Sequence, residues 1–418
     1  MIAANDAVLG ERAPSIREEP HDAASVAAIL HSAAQADRAV VAFGGGTLQS
    51  LGNAPRAYDI ALSLRRLDAV LSYDHRDLTI GVEAGATLAA VARTLGEFGQ
   101  FIPFDAPHPA RATIGGTLAA GWAGPRRTVY GRLRDLAIGS TVALTDGTLA
   151  SAGGMVVKNV TGYDMSKLYI GSLGTLGIIT RANFKALPRP PATRIAIAPL
   201  GDDARERALA AIAHLSIEPS AVLIVHGFFG ATPRLHDEDV RMLVLFEGSA
   251  AVIERATREL RSALGAAGIA ETLLLEGPAA ERTLQSTIDA YVESLADRTL
   301  TYRSTGLASN AWARADALAD IVHARKHTCD RIVDIRTGDA IVRVAGRSHA
   351  ALLEDLAGLD AEVRRIVPNA CVLAGDARLR AAIDAWGAVP STLETMRAIK
   401  LRFDPTGTLA PGRYVGGL

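Results

Sequence analysis

A chain of 418 residues, 49% hydrophobic and 21% charged, is too long for one ordinary core and predicts two or three domains. A formal net charge of -1, with both signs interspersed, leaves no field to attract nucleic acid or an anionic membrane, so both are excluded as partners. The two cysteines, Cys329 and Cys371, lie outside any C-x-x-C pair, which excludes an iron–sulfur cluster, a structural zinc and a disulfide framework and fits a reducing cytoplasm. Met1 to Pro20 carries Glu11, Arg12, Arg17, Glu18 and Glu19 and lacks the apolar core of a secretory signal. No apolar stretch approaches the roughly 20 residues of a membrane span. The sequon Asn159-Val160-Thr161 therefore reads as accidental.

His21 to Ala36, with Val26, Ile29 and Leu30 at helical spacing, predicts a helix leading into a buried strand, Ala39 to Phe43. That strand ends at Gly44-Gly45-Gly46-Thr47. Short apolar runs follow at Asp59 to Leu64, Val70 to Tyr73 and Leu78 to Val82, then a helix over Thr87 to Leu95 with Thr87 as cap. Gly and Pro become dense from Pro103 to Gly131; a strand resumes at Ala137 to Leu144 and turns at Asp146-Gly147, a hairpin signal. Pro188, Pro190 and Pro191 form a stiff connector and mark a boundary. Beyond it, helices such as Asp202 to His214 and Ala250 to Ala267 alternate with strands such as Ala221 to His226 and Arg241 to Phe246, an α+β layer of helices on an antiparallel sheet. The tail from Thr392 to Leu418 returns to the composition of the first segment.

With 39 glycines against 20 aromatic residues (9 Phe, 8 Tyr, 3 Trp), glycine carries the information in this chain. Three consecutive glycines after a buried strand permit positive φ and close backbone approach, and successive N–H groups there form an anion-binding nest that suits a pyrophosphate; the plain alternative is a structural turn. The dinucleotide pattern G-x-G-x-x-G is absent, so a nicotinamide Rossmann site is unsupported. Two further glycine clusters follow, Ala112-Thr113-Ile114-Gly115-Gly116-Thr117 and Gly124-Pro125-Arg126-Arg127 through Tyr130-Gly131, with Arg134-Asp135 behind. They read either as turns along a long, doubly anionic cofactor or as a bulge and a solvated surface. The fourth runs from Gly153-Gly154 through Lys158-Asn159-Val160-Thr161-Gly162-Tyr163-Asp164 to Gly171-Ser172-Leu173-Gly174-Thr175-Leu176-Gly177-Ile178-Ile179-Thr180.

In this order the four clusters resemble the FAD-binding domain of PCMH-type (vanillyl-alcohol-oxidase-type) flavoproteins. The GPRR and KNVTGYD elements are most similar to the FAD-binding subunit of bacterial glycolate oxidase. Phe403-Asp404-Pro405 with Pro411-Gly412-Arg413 resembles the closing FDP…NPGR segment of that family. The resemblance implies a PCMH-type FAD-binding domain of two α/β subdomains over residues 1–190, an α+β cap over 191–385, and a segment over 386–418 that returns to the first domain. It implies FAD contacts at Gly44, Gly45, Gly46 and Thr47 around the pyrophosphate, at Thr113, Ile114, Gly115 and Gly116 along the ribityl chain and flavin, and at Ile178 and Ile179 on the adenine side, with Leu48 and Pro107 as further contacts, Tyr130 and Arg134 as neighbours, and Lys158 ordering the loop. In relatives with covalent flavin, a His or Cys follows the loop. Here Thr47-Leu48-Gln49-Ser50 follows it, so FAD is expected to be non-covalent.

Two departures narrow the expected role. Ala410 stands where the family has Asn before Pro-Gly, and the cap lacks the histidine-rich stretches with which related D-2-hydroxy-acid dehydrogenases hold a metal, so no metal is expected. His323 and His327 have metal-ligand spacing but read as a solvated helix face, and His226 as a core or turn histidine. Oxidation of a 2-hydroxy acid needs a cation for the carboxylate, and Arg303 followed by Arg343 are the candidates in the cap. The resemblance implies a flavin subunit of a glycolate-oxidase-like complex, acting on a small hydroxy acid or relaying its electrons beside a second flavoprotein subunit and an iron–sulfur subunit. Such a complex would be cytoplasmic, or peripheral to the inner membrane through those partners. The alternatives are a self-contained FAD-dependent dehydrogenase of another hydroxy acid or alcohol, and a catalytically silent flavoprotein scaffold.

Overall fold

A computed structural model describes residues 9, 12–156, 162–228, 240–293 and 298–418. The chain divides into two compact units, one of Met1–Ala123, Gly131–Arg189 and Cys371–Leu418, the other of Gly124–Tyr130 and Pro190–Ala370. Among the described residues no helix is long and apolar enough to cross a membrane.

The first unit opens with β1 (Ile16–Glu18), a helix over Ala23–Gln35, β2 (Val40–Phe43) and β3 (Ile60–Ser63). The helix starts where Asp22 accepts a hydrogen bond from Ser25 N at 2.7 Å. The three strands form a parallel sheet in the order β1-β3-β2, and β3 is buried at every position, as a strand covered on both faces should be. The C-terminal tail runs beside β2: Val40 N donates to Thr408 O and Ala410 N donates to Val40 O, at 2.8 and 2.9 Å. Its bend is held by the buried Asp404, whose carboxylate accepts from Thr408 N and Leu409 N.

A second, antiparallel sheet of this unit comprises β4 (Val70–Asp74), β5 (Thr79–Glu83), β7 (Ala137–Ala143), β8 (Leu149–Gly153) and β9 (Ile178–Lys185), in the order β4-β5-β9-β7-β8. The short β6 (Gln100–Phe101) pairs with β10 (Leu187–Pro188). The predicted Asp-Gly hairpin joins β7 to β8, with Gly147 at φ +87°. Residues 371–385, expected in the cap, pack in this unit. Ser50 Oγ donates to Leu373 O, Arg380 Nη1 to Ser50 O and Ala385 N to Asn53 Oδ1.

The second unit holds β11 (Ala192–Pro199), β12 (Ala221–His226), β13 (Val240–Gly248), β14 (Leu273–Glu276), β15 (Thr299–Ser304), β16 (Thr328–Asp334) and β17 (Asp339–Ala345). Within the unit these run antiparallel in the order β14-β11-β13-β12-β16-β17-β15. The chain builds the same β-α-β-β-α succession twice. It first does so through β11, helix Asp202–Ala213, β12, β13 and helix Ala250–Ala266, then through β15, helix Ala311–Ala324, β16, β17 and helix His349–Ile366. The two halves meet where β12 pairs with β16.

Register sorts the side chains of this sheet onto two faces. Arg194, Tyr302 and Arg331 reach helices: Arg194 bonds Glu254 and Thr257, Tyr302 bonds Asp360, and Arg331 bonds Asp316 and stacks over Trp312. The opposite face therefore carries Thr193, Arg241, Glu247, Thr301, Arg303, Asp330, Asp334, Asp339 and Arg343. Segment Gly124–Tyr130 bonds to that second face. Arg126 bridges Glu247 and Glu281 at 2.9 Å each, and Arg127 pairs with Asp339 at 3.1 Å.

Candidate functional site

The site begins at the end of β2, where no side chain could replace the backbone. A Cβ on Gly45 would lie 1.7 Å from Arg111 O, and one on Gly44 would lie 2.0 Å from Thr113 Oγ1. Gly46 faces open space but sits at φ +73°, in the left-handed region. Arg65 Nε donates to Gly44 O and Arg111 Nη2 donates to Gly45 O, at 3.0 and 3.3 Å. With the carbonyls tied back, the N–H groups of Gly45, Gly46 and Thr47 find no acceptor among the described residues. Unpaired N–H groups in succession form the concave donor set that binds an anion.

The second wall is a short helix, Ile114–Ala119, where sequence reading expected a glycine turn or bulge. Thr113 starts it by accepting from Gly116 N at 3.4 Å, and Thr117 Oγ1 donates back to Thr113 O at 2.8 Å. Ile114 N and Gly115 N are consumed by Ala86 O and Ala84 O. This helix thus lends the site shape rather than donors. The third wall comes from Leu173 and Gly174, both at positive φ, and from Gly177, Ile178 and Ile179 entering β9.

These walls border a cleft with about 760 Å³ of empty space, open solvent at its mouth included. It is bordered by residues 41–49, by Leu64, Thr113, Gly115, Gly116, Thr117, Ala119 and Ala120, by the third wall, and by Arg413. Among the described residues no Asp or Glu lines it. Arg413, which the sequence marks only as part of the closing segment, was not among the expected cofactor contacts. It is only 4% exposed, and burial, followed by the neighbouring Arg380 charge, holds its guanidinium down at about 10. A cradle of glycine N–H groups, no carboxylate and one buried cation fit an extended phosphate-containing anion.

Of the residues anticipated for the cofactor, the cleft brings together Gly44, Gly45, Gly46, Thr47, Leu48, Thr113, Gly115, Gly116, Ile178 and Ile179. Ile114 is fully buried behind the wall, and Pro107 and Arg134 do not border the cleft. Tyr130 belongs to the second unit, where its hydroxyl bonds Glu247 and burial raises its pKa. Lys158 lies outside the described residues.

Both cap arginines project from the sheet face opposite the four helices and are paired. Arg303 Nη2 lies 2.7 Å from Asp339 Oδ2. Arg343, 3% exposed, pairs with Asp330 and sits 4.0 Å over the Phe228 ring. Arg241, fully buried on the same face and donating to Gly227 O, escaped the sequence reading because nothing in sequence separates a buried arginine from a surface one. His323 and His327 do not share a solvated helix face. The helix ends at Ala324, Lys326 turns through φ +60°, and His327 is buried 3.2 Å from Asp355 while His323 stays exposed. Among the described residues no cluster of three or more His, Cys, Asp or Glu could hold a metal.

A parallel α/β layer, an antiparallel layer and a donor-lined cleft at the strand end define an FAD-binding flavoprotein unit. Residues 14–153 match the FAD binding domain family, and residues 386–414 match the C-terminal domain of FAD linked oxidases. Over those two segments the chain is similar to FAD-linked oxidases, and its fold is the one found in PCMH-type FAD oxidases. It is 40% identical over 133 residues to glycolate oxidase subunit GlcE of Escherichia coli (strain K12), covering 32% of this chain and 38% of that one. It is 32% identical over 179 residues to glycolate oxidase subunit GlcD of Bacillus subtilis (strain 168), covering 43% and 38%. It is 34% identical over 177 residues to the mitochondrial D-2-hydroxyglutarate dehydrogenase of Bos taurus, covering 42% and 32%. Each match thus spans under two fifths of the relative. Substrate-bound p-cresol methylhydroxylase shares the fold at TM-score 0.69 and 15% identity over 95% of this chain and 88% of that one. Alkyldihydroxyacetonephosphate synthase does so at TM-score 0.66 and 16% identity, over 96% and 77%.

Proposed function

We propose that this chain is the FAD-binding subunit of a hydroxy-acid oxidoreductase of glycolate-oxidase type, working beside a second flavoprotein subunit and an iron–sulfur subunit. The observation that carries this reading is the carboxylate-free, glycine-lined cleft in a chain similar to two glycolate oxidase subunits. FAD, when bound, supplies the acceptor for a hydride or electron pair. The loop Gly45–Thr47 holds its diphosphate, the helix Ile114–Ala119 walls it, and Ile178 and Ile179 close the third side. Among the described residues neither His nor Cys borders the cleft, which supports non-covalent attachment.

A catalytic role for the chain itself would fall to Arg343 and Arg303 as the cations for a substrate carboxylate, provided that substrate competes with Asp330 and Asp339 for them. That competition favours a subunit that needs its partners. The test is anaerobic addition of glycolate or D-lactate to the yellow protein, read as loss of the flavin band at about 450 nm. Bleaching only after the co-purified subunits are added is expected. Full bleaching of the isolated chain would replace this reading by a self-contained dehydrogenase.

A further inference from the structure

The glycine loop leaves one charge at the cleft unexplained. Arg413 donates from Nη2 to Gln49 O and Leu51 O at 2.9 and 2.7 Å, and its Nε is buried with no acceptor among the described residues. No carboxylate among those residues pairs with it. Its charged neighbour is a second cation, Arg380, which donates to Ser50 O and Gly375 O. Two guanidinium groups thus clasp the chain directly after the glycine loop, and one of them, unpaired, borders the cleft. A buried charge without a counter-ion is strongly destabilising unless an anion completes it. The available cleft is the one that presents the N–H groups of Gly45, Gly46 and Thr47.

We infer that Arg413 is the counter-charge of the FAD diphosphate, facing across the cleft the N–H donors of the glycine loop. The inference rests on the FAD assignment and adds a tail residue, 364 positions beyond Gln49, to the phosphate site. The carbonyls of Gln49 and Leu51 hold the guanidinium in place, so the diphosphate meets a cation already oriented. Charge at this point serves binding of the phosphates rather than the flavin ring.

The FAD-stripped chain, wild type and with Arg413→Met or Arg413→Lys, is titrated calorimetrically with FAD, ADP and riboflavin. Losing one charge-assisted hydrogen bond predicts a fall of about tenfold to a hundredfold in FAD and ADP affinity for Arg413→Met, with riboflavin affinity unchanged. Equal losses for ADP and riboflavin would assign Arg413 to the fold alone and overturn the inference. So would unchanged ADP affinity accompanied by a shifted flavin reduction potential. If Arg413→Met does not fold, Arg413→Lys decides. Its ammonium cannot serve both carbonyls and the ligand, so ADP affinity falls severalfold with riboflavin unaffected; parallel losses reject the role. Wild type that binds neither FAD nor ADP rejects the FAD assignment itself.

Discussion

Within the glycine loop the three residues are needed for different reasons, and the difference is measurable. Gly45 has no room: its missing Cβ would meet backbone, Arg111 O and C at 1.7 and 2.4 Å, which cannot rotate away. Gly46 has room but sits at φ +73°, where an alanine costs roughly 1–2 kcal/mol. Gly45→Ala should therefore yield a colourless protein, while Gly46→Ala keeps FAD with only a small loss in melting temperature, both read by absorbance and calorimetry. Equal FAD content in the two variants would mean that the loop yields at Arg111. The glycines were legible in sequence because glycine announces its backbone. Arg413 was not, since an arginine announces a charge and not whether water or protein surrounds it.

At the scale of elements, sequence located the helices Asp202 to His214 and Ala250 to Ala267 and the strands Ala221 to His226 and Arg241 to Phe246 of the second unit better than its duplication. The two β-α-β-β-α halves share topology without sharing a visible sequence repeat, because each needs only apolar residues at matching positions. Similarly, Thr113-Ile114-Gly115-Gly116 hid a helix start, because two glycines in the first turn mask what the threonine cap supplies. The β16–β17 hairpin offers a test in the opposite direction. Asp334, at its end, is buried and accepts from Arg336 N and Thr337 N, yet burial raises its carboxyl to about 6. A raised carboxyl binds its proton more tightly folded than unfolded, so stability falls as pH rises from about 4 to 6 and stays reduced above. Asp334→Asn keeps an acceptor for both N–H groups and removes that penalty. At pH 8 it should be more stable by up to about 3 kcal/mol, converging with wild type below about pH 4, as followed by thermal unfolding. A variant less stable at pH 8 would show that the anion itself, facing Arg127, holds the hairpin.

For the whole molecule, chain order and spatial order part company at residues 124–130. This segment lies within the stretch expected to form the first domain, yet it belongs to the second unit. Arg126 and Arg127 signalled a polar surface or a cofactor contact, and nothing local indicated carboxylates more than a hundred residues away. Glu247, almost without exposure, is bonded by Arg126 and Tyr130, the partly exposed Glu281 by Arg126 and Thr193, and Asp339 receives Arg127 as well as Arg303. Deleting one side of a buried pair leaves the other charge desolvated and costs about 3–5 kcal/mol, a large share of a domain's stability of roughly 5–15 kcal/mol. Residues 190–370 expressed alone should therefore melt far below the same unit in the full chain. Joining residues 124–130 to them through a flexible linker should recover most of the difference, and the same fusion with Arg126→Ala should not. Calorimetric melting of the three proteins decides the matter. If residues 190–370 alone unfold at the temperature of the linked form, Glu247 has found water or another partner, and the segment serves something other than the stability of this unit.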